Sequence, residues 1–241
     1  MCKKCIEVCE ISKSFHGRKV VDSLSFSVEK GQVFGFLGHN GAGKSTTIDI
    51  ILGLKKQDSG KAMIFGMEAA KNRKAVFERT GVQLQDSHYQ AAIRVGELCQ
   101  EHAALYENPR DYRELLEQFG LSDFKKSQVV KLSGGERQRL SVILALLGNP
   151  EVVFLDELTT GLDVAARREI WTTLKRMKEE GLTIFLTTHY MEEAEFLCDE
   201  IMLIKDGKEV IRGSVSEVVE ASPCDNLEEA YLWYMGQEVE R

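Results

Sequence analysis

The sequence predicts an α/β fold with a mainly parallel sheet, an antiparallel β part at the amino terminus and a helical segment inserted between strands. Two observations carry this. Three short runs, 33–37, 152–155 and 183–186, are continuously apolar apart from Gly35 and the leading Thr183, as strands buried on both faces are. Between Asp86 and Lys131, valine and isoleucine become scarce and helix formers take over. The three runs also end in polar chemistry: a glycine-rich stretch from Gly38, then Asp156-Glu157, then Thr187-Thr188-His189. Parallel sheets bind ligands outside the carboxyl ends of their strands, so these endings are expected to share one edge and one site.

The first 35 residues read as strands and turns, with Ile6, Val8, Val20, Val21, Phe26 and Val28 apolar and Gly17 and Gly31 at turns. Next, Gly38-His39-Asn40-Gly41-Ala42-Gly43-Lys44-Ser45 fits G-x-x-x-x-G-K-[ST] between a strand and a helix that ends at Gly53. Such glycines let backbone N–H groups turn toward a polyphosphate, and the helix amino terminus adds its dipole. Lys44 would neutralise the β- and γ-phosphates and Ser45 would ligate magnesium. In the insertion, helices are expected over 95–106 and 111–119, punctuated by Pro109 and Gly120.

The run Leu132-Ser133-Gly134-Gly135-Glu136-Arg137-Gln138 discriminates among phosphate-loop proteins. Ser133 and Glu136 have capping-box spacing at the head of a helix running to Leu147, which Gly148-Asn149-Pro150 stops. Two glycines in a first turn weaken a helix, by about 1 kcal/mol each in an interior and less at an end. They make sense if an anion must approach the backbone there. Because the chain already has one phosphate loop, a second anion site implies a nucleotide held by a second subunit. At Asp156-Glu157, one carboxylate is suited to hold magnesium through water, and the other to orient and deprotonate an attacking water. His189 is placed to contact the γ-phosphate. The segment 226–235, with an N-cap, early acids, apolar Leu227, Tyr231 and Tyr234 and a terminating Gly236, reads as a docking helix.

Composition narrows the function classes. With 31 Lys+Arg against 38 Asp+Glu the formal charge is -7, a field that disfavours nucleic-acid binding. The stretch 140–147 is interrupted by Ser141 and is far short of the ~20 residues of a membrane span. The opening MCKKCIEVCE lacks the apolar core of a signal peptide, so a cytosolic chain with reduced cysteines is expected. Cys2, Cys5, Cys9 and His16 match no zinc spacing.

Taken in order, these motifs resemble those of the ATP-binding cassette (ABC) ATPases over nearly the whole chain, which implies a P-loop NTPase core. The resemblance makes 38–46 a Walker A loop, extends nucleotide contact to Thr46, and places a Q-loop at Gln85. It makes 132–138 the signature, Asp156 and Glu157 the Walker B pair, Gly161-Leu162-Asp163 the D-loop and His189 the switch. Phe15 stands where the family stacks an aromatic on adenine, although alone it would read as a core residue. The resemblance implies one cassette over 5–236, with its core in 1–85 and 151–213, its insertion in 86–150 and a docking helix in 226–236. It further implies that two cassettes close head to tail around two ATP molecules. Ser133, Gly134, Gly135 and Gln138 of one chain would then face the nucleotide held by Lys44 of the other. Gln85, with Ser45 and Asp156, would complete magnesium coordination, and Lys44, Glu157 and His189 would serve hydrolysis.

A groove beside the insertion would receive a cytoplasmic helix of an integral-membrane subunit, holding the cassette peripherally on the inner face of the cell membrane. His39 and Leu158 replace prolines common in the family, without removing a phosphate contact. The runs Asp-Glu-Leu-Thr-Thr-Gly-Leu-Asp and Thr-Thr-His-Tyr-Met-Glu-Glu-Ala-Glu, with the segment 226–232, resemble exporter cassettes linked to drug or antibiotic efflux. The alternative is a soluble, non-transport ABC ATPase. Its DNA-repair relatives carry a long coiled coil between the halves and its translation-type relatives carry two cassettes, and this sequence has neither. A GTPase would show the NKxD pattern, which is absent, and neither it nor a small-molecule kinase needs the signature.

Overall fold

The computed structural model describes residues 4–84, 89–90 and 92–236. Strands β1 (Lys4–Phe15), β2 (Arg18–Glu29) and β3 (Val33–Leu37) come first, then helix α1 (Lys44–Ile51), strand β4 (Ser59–Ile64), helix α2 (Arg73–Phe77) and strand β5 (Thr80–Gln83). Three helices follow, α3 (Val95–Ala103), α4 (Tyr112–Gln118) and α5 (Gly134–Leu146). The chain then alternates through β6 (Val152–Asp156), α6 (Val164–Glu179), β7 (Thr183–Thr188), α7 (Met191–Leu197), β8 (Glu200–Lys205) and β9 (Lys208–Gly213), and ends in α8 (Val215–Glu220) and α9 (Leu227–Tyr234).

Strands β2-β1-β4 form a three-stranded antiparallel sheet, and β5-β6-β7-β3-β8-β9 a six-stranded one. The larger sheet is parallel from β5 through β8, with β9 antiparallel at its edge. Every residue of β3, β6 and β7 is buried, which is why their apolarity is continuous. One face of this sheet meets the antiparallel sheet through stacked rings, with Phe34 and Phe185 centroids 5.6 Å apart and Phe26 5.3 Å from Phe34. On the other face, Val153, Leu155, Ile184 and Leu186 join α3–α6 in one core.

Helix α5 lies hard against β5. A Cβ at Gly81 would fall 2.0 Å from the Ala145 carbonyl oxygen, so only glycine fits there. The helix expected over 95–106 ends at Ala103. Leu105 and Tyr106 continue as tightened turns, bonding to His102 and Ala103 carbonyls. This lets the Tyr106 ring lie on Gly148, where a Cβ would come within 2.4 Å of it.

An ion-pair cluster pins the start of β6. Glu151 receives Arg79 Nε and, at 2.7 Å, Lys30 Nζ. Chiefly the Arg79 hydrogen bond, with Lys30 assisting against partial burial, pulls its carboxyl from the usual 4.5 to about 2. A depressed carboxylate contributes stability above its unfolded value, and that contribution is lost as pH falls toward the folded one. Full linkage would be about 3 kcal/mol. The side chain is 41% exposed, and solvent screening reduces the effect to about 1 kcal/mol. Glu151→Gln is therefore expected to cost about 1 kcal/mol at pH 7, with the gap to the parent narrowing below pH ~4.5. Urea unfolding at pH 7, 5 and 3.5 measures it, and a gap independent of pH would contradict the assignment.

Candidate functional site

The loop 38–45 leaves the buried end of β3 and turns directly into α1. Gly43, at φ 109°, lies so close to β2 that a Cβ would meet the Val20 carbonyl oxygen at 2.4 Å. The loop is also docked on the β8–β9 turn, where the Gly207 N–H donates to Ala42 O at 3.1 Å. Val20, Asn40 and the stretch 41–46 without the buried Ala42 line a cleft of about 280 Å³ that Glu157 also reaches.

Lys44 is 5% exposed, and its Nζ donates to Gly38 O at 2.8 Å and lies 3.5 Å from Glu157 Oε1. Burial pushes its pKa down, and the carboxylates of Glu157 and Asp156 pull it back up. A buried ammonium in the first turn of a helix is suited to a polyanion.

The second and third polar endings meet beside it, because β6 and β7 are parallel neighbours with Asp156 opposite Thr187. The Thr187 hydroxyl donates a short hydrogen bond to Asp156 Oδ1. Burial raises the Asp156 carboxyl above its ordinary range, opposed by the Thr187 and Ser45 hydroxyls. Glu157 adopts φ 50°, a left-handed turn rare for glutamate, held as its N–H donates to Thr187. This turn swings its carboxylate toward Lys44. His189 Nδ1 lies 3.9 Å from Glu157 Oε1, and its ring packs on Tyr190 with centroids 4.3 Å apart. The structure thus gathers Lys44, Ser45, Asp156, Glu157 and His189 at one sheet edge.

Other sequence-predicted residues lie elsewhere. Ser133 caps α5, its Oγ accepting from Glu136 N while Glu136 Oε2 accepts from Ser133 N at 2.7 Å. Ser133 and Gly134 are exposed, Gly135 and Gln138 half-buried, and none of the four lines the cleft of their own chain. His39 is exposed on the loop, its ring nitrogen 2.8 Å from Asn40 O. Phe15 is 38% exposed, which corrects its reading as a core residue, and Lys13 and Lys55 approach its ring to 5.5 and 5.9 Å. Gln85 lies outside the described residues. One participant was not singled out by sequence: Val20 reads as an ordinary apolar strand position.

Comparison with known proteins accords with this geometry. The family described as ABC transporter matches residues 21–160. A linearmycin resistance ATP-binding protein of Bacillus subtilis (strain 168) is 35% identical over 213 residues, covering 86% of this chain and 68% of that protein. A Nod factor export ATP-binding protein I of Ralstonia nicotianae is 38% identical over 224 residues, covering 90% and 70%. The solved structure of an ATP-binding subunit of an ABC transporter superposes with a TM-score of 0.87 at 25% identity, over 96% of this chain and 99% of that one.

Proposed function

This chain belongs to the ABC transporter family as an ATP-hydrolysing cassette that powers transport, and from that premise we propose how its residues divide the work. The loop 38–46 holds the triphosphate of ATP, Lys44 neutralises its outer phosphates, and Phe15 offers its exposed ring to the base. Ser45, which lines the cleft, and Asp156, whose charged form the Ser45 hydroxyl favours, are hard oxygen donors. They fit magnesium, with Gln85 as a further ligand. The ion's contribution is to neutralise charge on the β- and γ-phosphate oxygens. Glu157 orients the attacking water and accepts its proton, while His189, close to the same Glu157 oxygen as Lys44, contacts the γ-phosphate.

The carrying observation for assembly is the position of 133–135. A capped helix start with two glycines, exposed at Ser133 and Gly134, does not line the cleft of its own chain. The proposed partner for it is the ATP of a second cassette, so each active site is completed in trans. The whole unit is one cassette over 5–236, in which the insertion 86–150 carries the signature. A groove of about 390 Å³ lined by Leu52, Leu54, Phe77, Tyr89 and Tyr106 takes a cytoplasmic helix of an integral-membrane subunit, and nucleic acid is no partner. Among the described residues no helix is long and apolar enough to cross a membrane. In this reading the membrane subunit holds the cassette at the inner face of the cell membrane. Export is the proposed direction, following the Nod factor export relative.

Light scattering tests the shared site. The chain is expected to be monomeric without nucleotide, and Glu157→Gln is expected to accumulate as a dimer with ATP, because the nucleotides at the interface are not consumed. A mass unchanged by ATP in both parent and variant would refute assembly around nucleotide.

A further inference from the structure

Behind the hydrolytic centre lies a buried polar cluster with no part in the phosphate chemistry described above. Glu193, in the first turn of α7, is 1% exposed. Trp171 of α6, also 1% exposed, donates its indole N–H to Glu193 Oε1 at 2.8 Å. The hydroxyls of Thr159 and Thr188 also lie near enough to the carboxylate to favour its charged form. Glu193 Oε2 and Thr159 Oγ1 are buried without a hydrogen-bond partner. Arg167 lies close enough to favour the charged carboxylate, and its guanidinium covers the Tyr190 ring at 5.0 Å. Burial raises the carboxyl's pKa, against these favourable partners.

A residue that only filled this space would be apolar, because a buried carboxylate is costly to desolvate. What it touches gives it a use. Thr159 is two residues beyond Glu157, and its carbonyl accepts from Leu162 N at the turn into 161–163. Thr188 precedes His189, and its hydroxyl accepts from Tyr190 N at 3.0 Å.

We propose that Glu193 is a positioning residue for hydrolysis, a buried carboxylate tying α6, the end of β7 and the loop after Glu157 so that Glu157 and His189 keep their mutual placement. This rests on the roles given above to those two side chains. Misplacement of a base by small distances costs large factors in rate, while phosphate binding on the loop 38–46 does not depend on it.

Glu193→Gln is the selective test. The amide oxygen still accepts from Trp171, but an uncharged NH₂ donor replaces the second carboxylate oxygen. In a Trp233→Phe background, leaving Trp171 as the single tryptophan, kcat is expected to fall about ten- to hundredfold. ATP affinity, melting temperature and Trp171 emission should stay at parental values. Thr159→Val, nearly isosteric, should lower kcat in the same way, and it decides the matter if Glu193→Gln does not fold. An unchanged kcat overturns the proposal. So does a joint loss of emission, melting temperature and ATP affinity, which would mark a purely structural role. Glu157→Gln measured alongside separates the two readings, since a parental rate there removes the assignment on which this proposal rests.

Discussion

Glu157→Gln is expected to slow ATP hydrolysis by about 10²–10⁴-fold, the worth of a positioned general base. The substitution keeps shape and volume, so the left-handed turn at 157 and its backbone bonds to Thr187 should survive. What is lost is a proton acceptor 3.5 Å from the Lys44 ammonium. Nucleotide affinity should be retained or slightly improved, because Lys44 no longer has a carboxylate competing with the phosphates for its charge. Steady-state phosphate release, set beside equilibrium binding of ATP, separates the two effects. Hydrolysis at the parental rate would show that another group accepts the proton.

Gly135→Asp should abolish hydrolysis and ATP-dependent dimerisation while leaving ATP affinity of the isolated chain nearly unchanged. An acid in the first turn of a helix is locally favourable, so α5 itself should tolerate it. The added Cβ would meet Leu162 at 3.1 Å, a contact that a slight shift relieves. The damage is electrostatic, from a carboxylate placed where the γ-phosphate of the other chain must dock, at a cost of several kcal/mol in a poorly solvated gap. Mixing Gly135→Asp with Lys44→Ala chains can restore at most one intact site per dimer, so recovered activity must come from mixed pairs. A large loss of ATP affinity in monomeric Gly135→Asp would mean that the signature contacts nucleotide within its own chain.

Sequence and structure agree most closely where a local rule is strong. Continuous apolarity marks β3, β6 and β7, and the box formed by Ser133 and Glu136 marks the start of α5, because each is settled by neighbouring residues. Convergence of Lys44, Asp156, Glu157 and His189 is legible too, since parallel strands bring their carboxyl ends together. What sequence does not reveal depends on contacts between distant segments. Val20 earns its place only through the approach of β2 to Gly43, and Glu193 looks like one more acid in a charged run until Trp171 is seen above it. The end of α3 at Ala103 is likewise decided by Tyr106 packing on Gly148, 42 residues further on.

The contact between Gly81 and Ala145 makes α5 a lever. Ser133 and Ala145 are twelve residues apart, or about 18 Å along a helix. With Ala145 pressed onto the sheet as a fulcrum, a tilt of about 10° carries the Ser133 end through about 3 Å, the difference between a hydrogen bond made and one lost. Because Gly81 belongs to the strand that leads toward Gln85, the pivot sits at that edge of the sheet, and rotation about it is felt most at the far tip of the helix. The absence of a single methyl group thus sets where the helix turns.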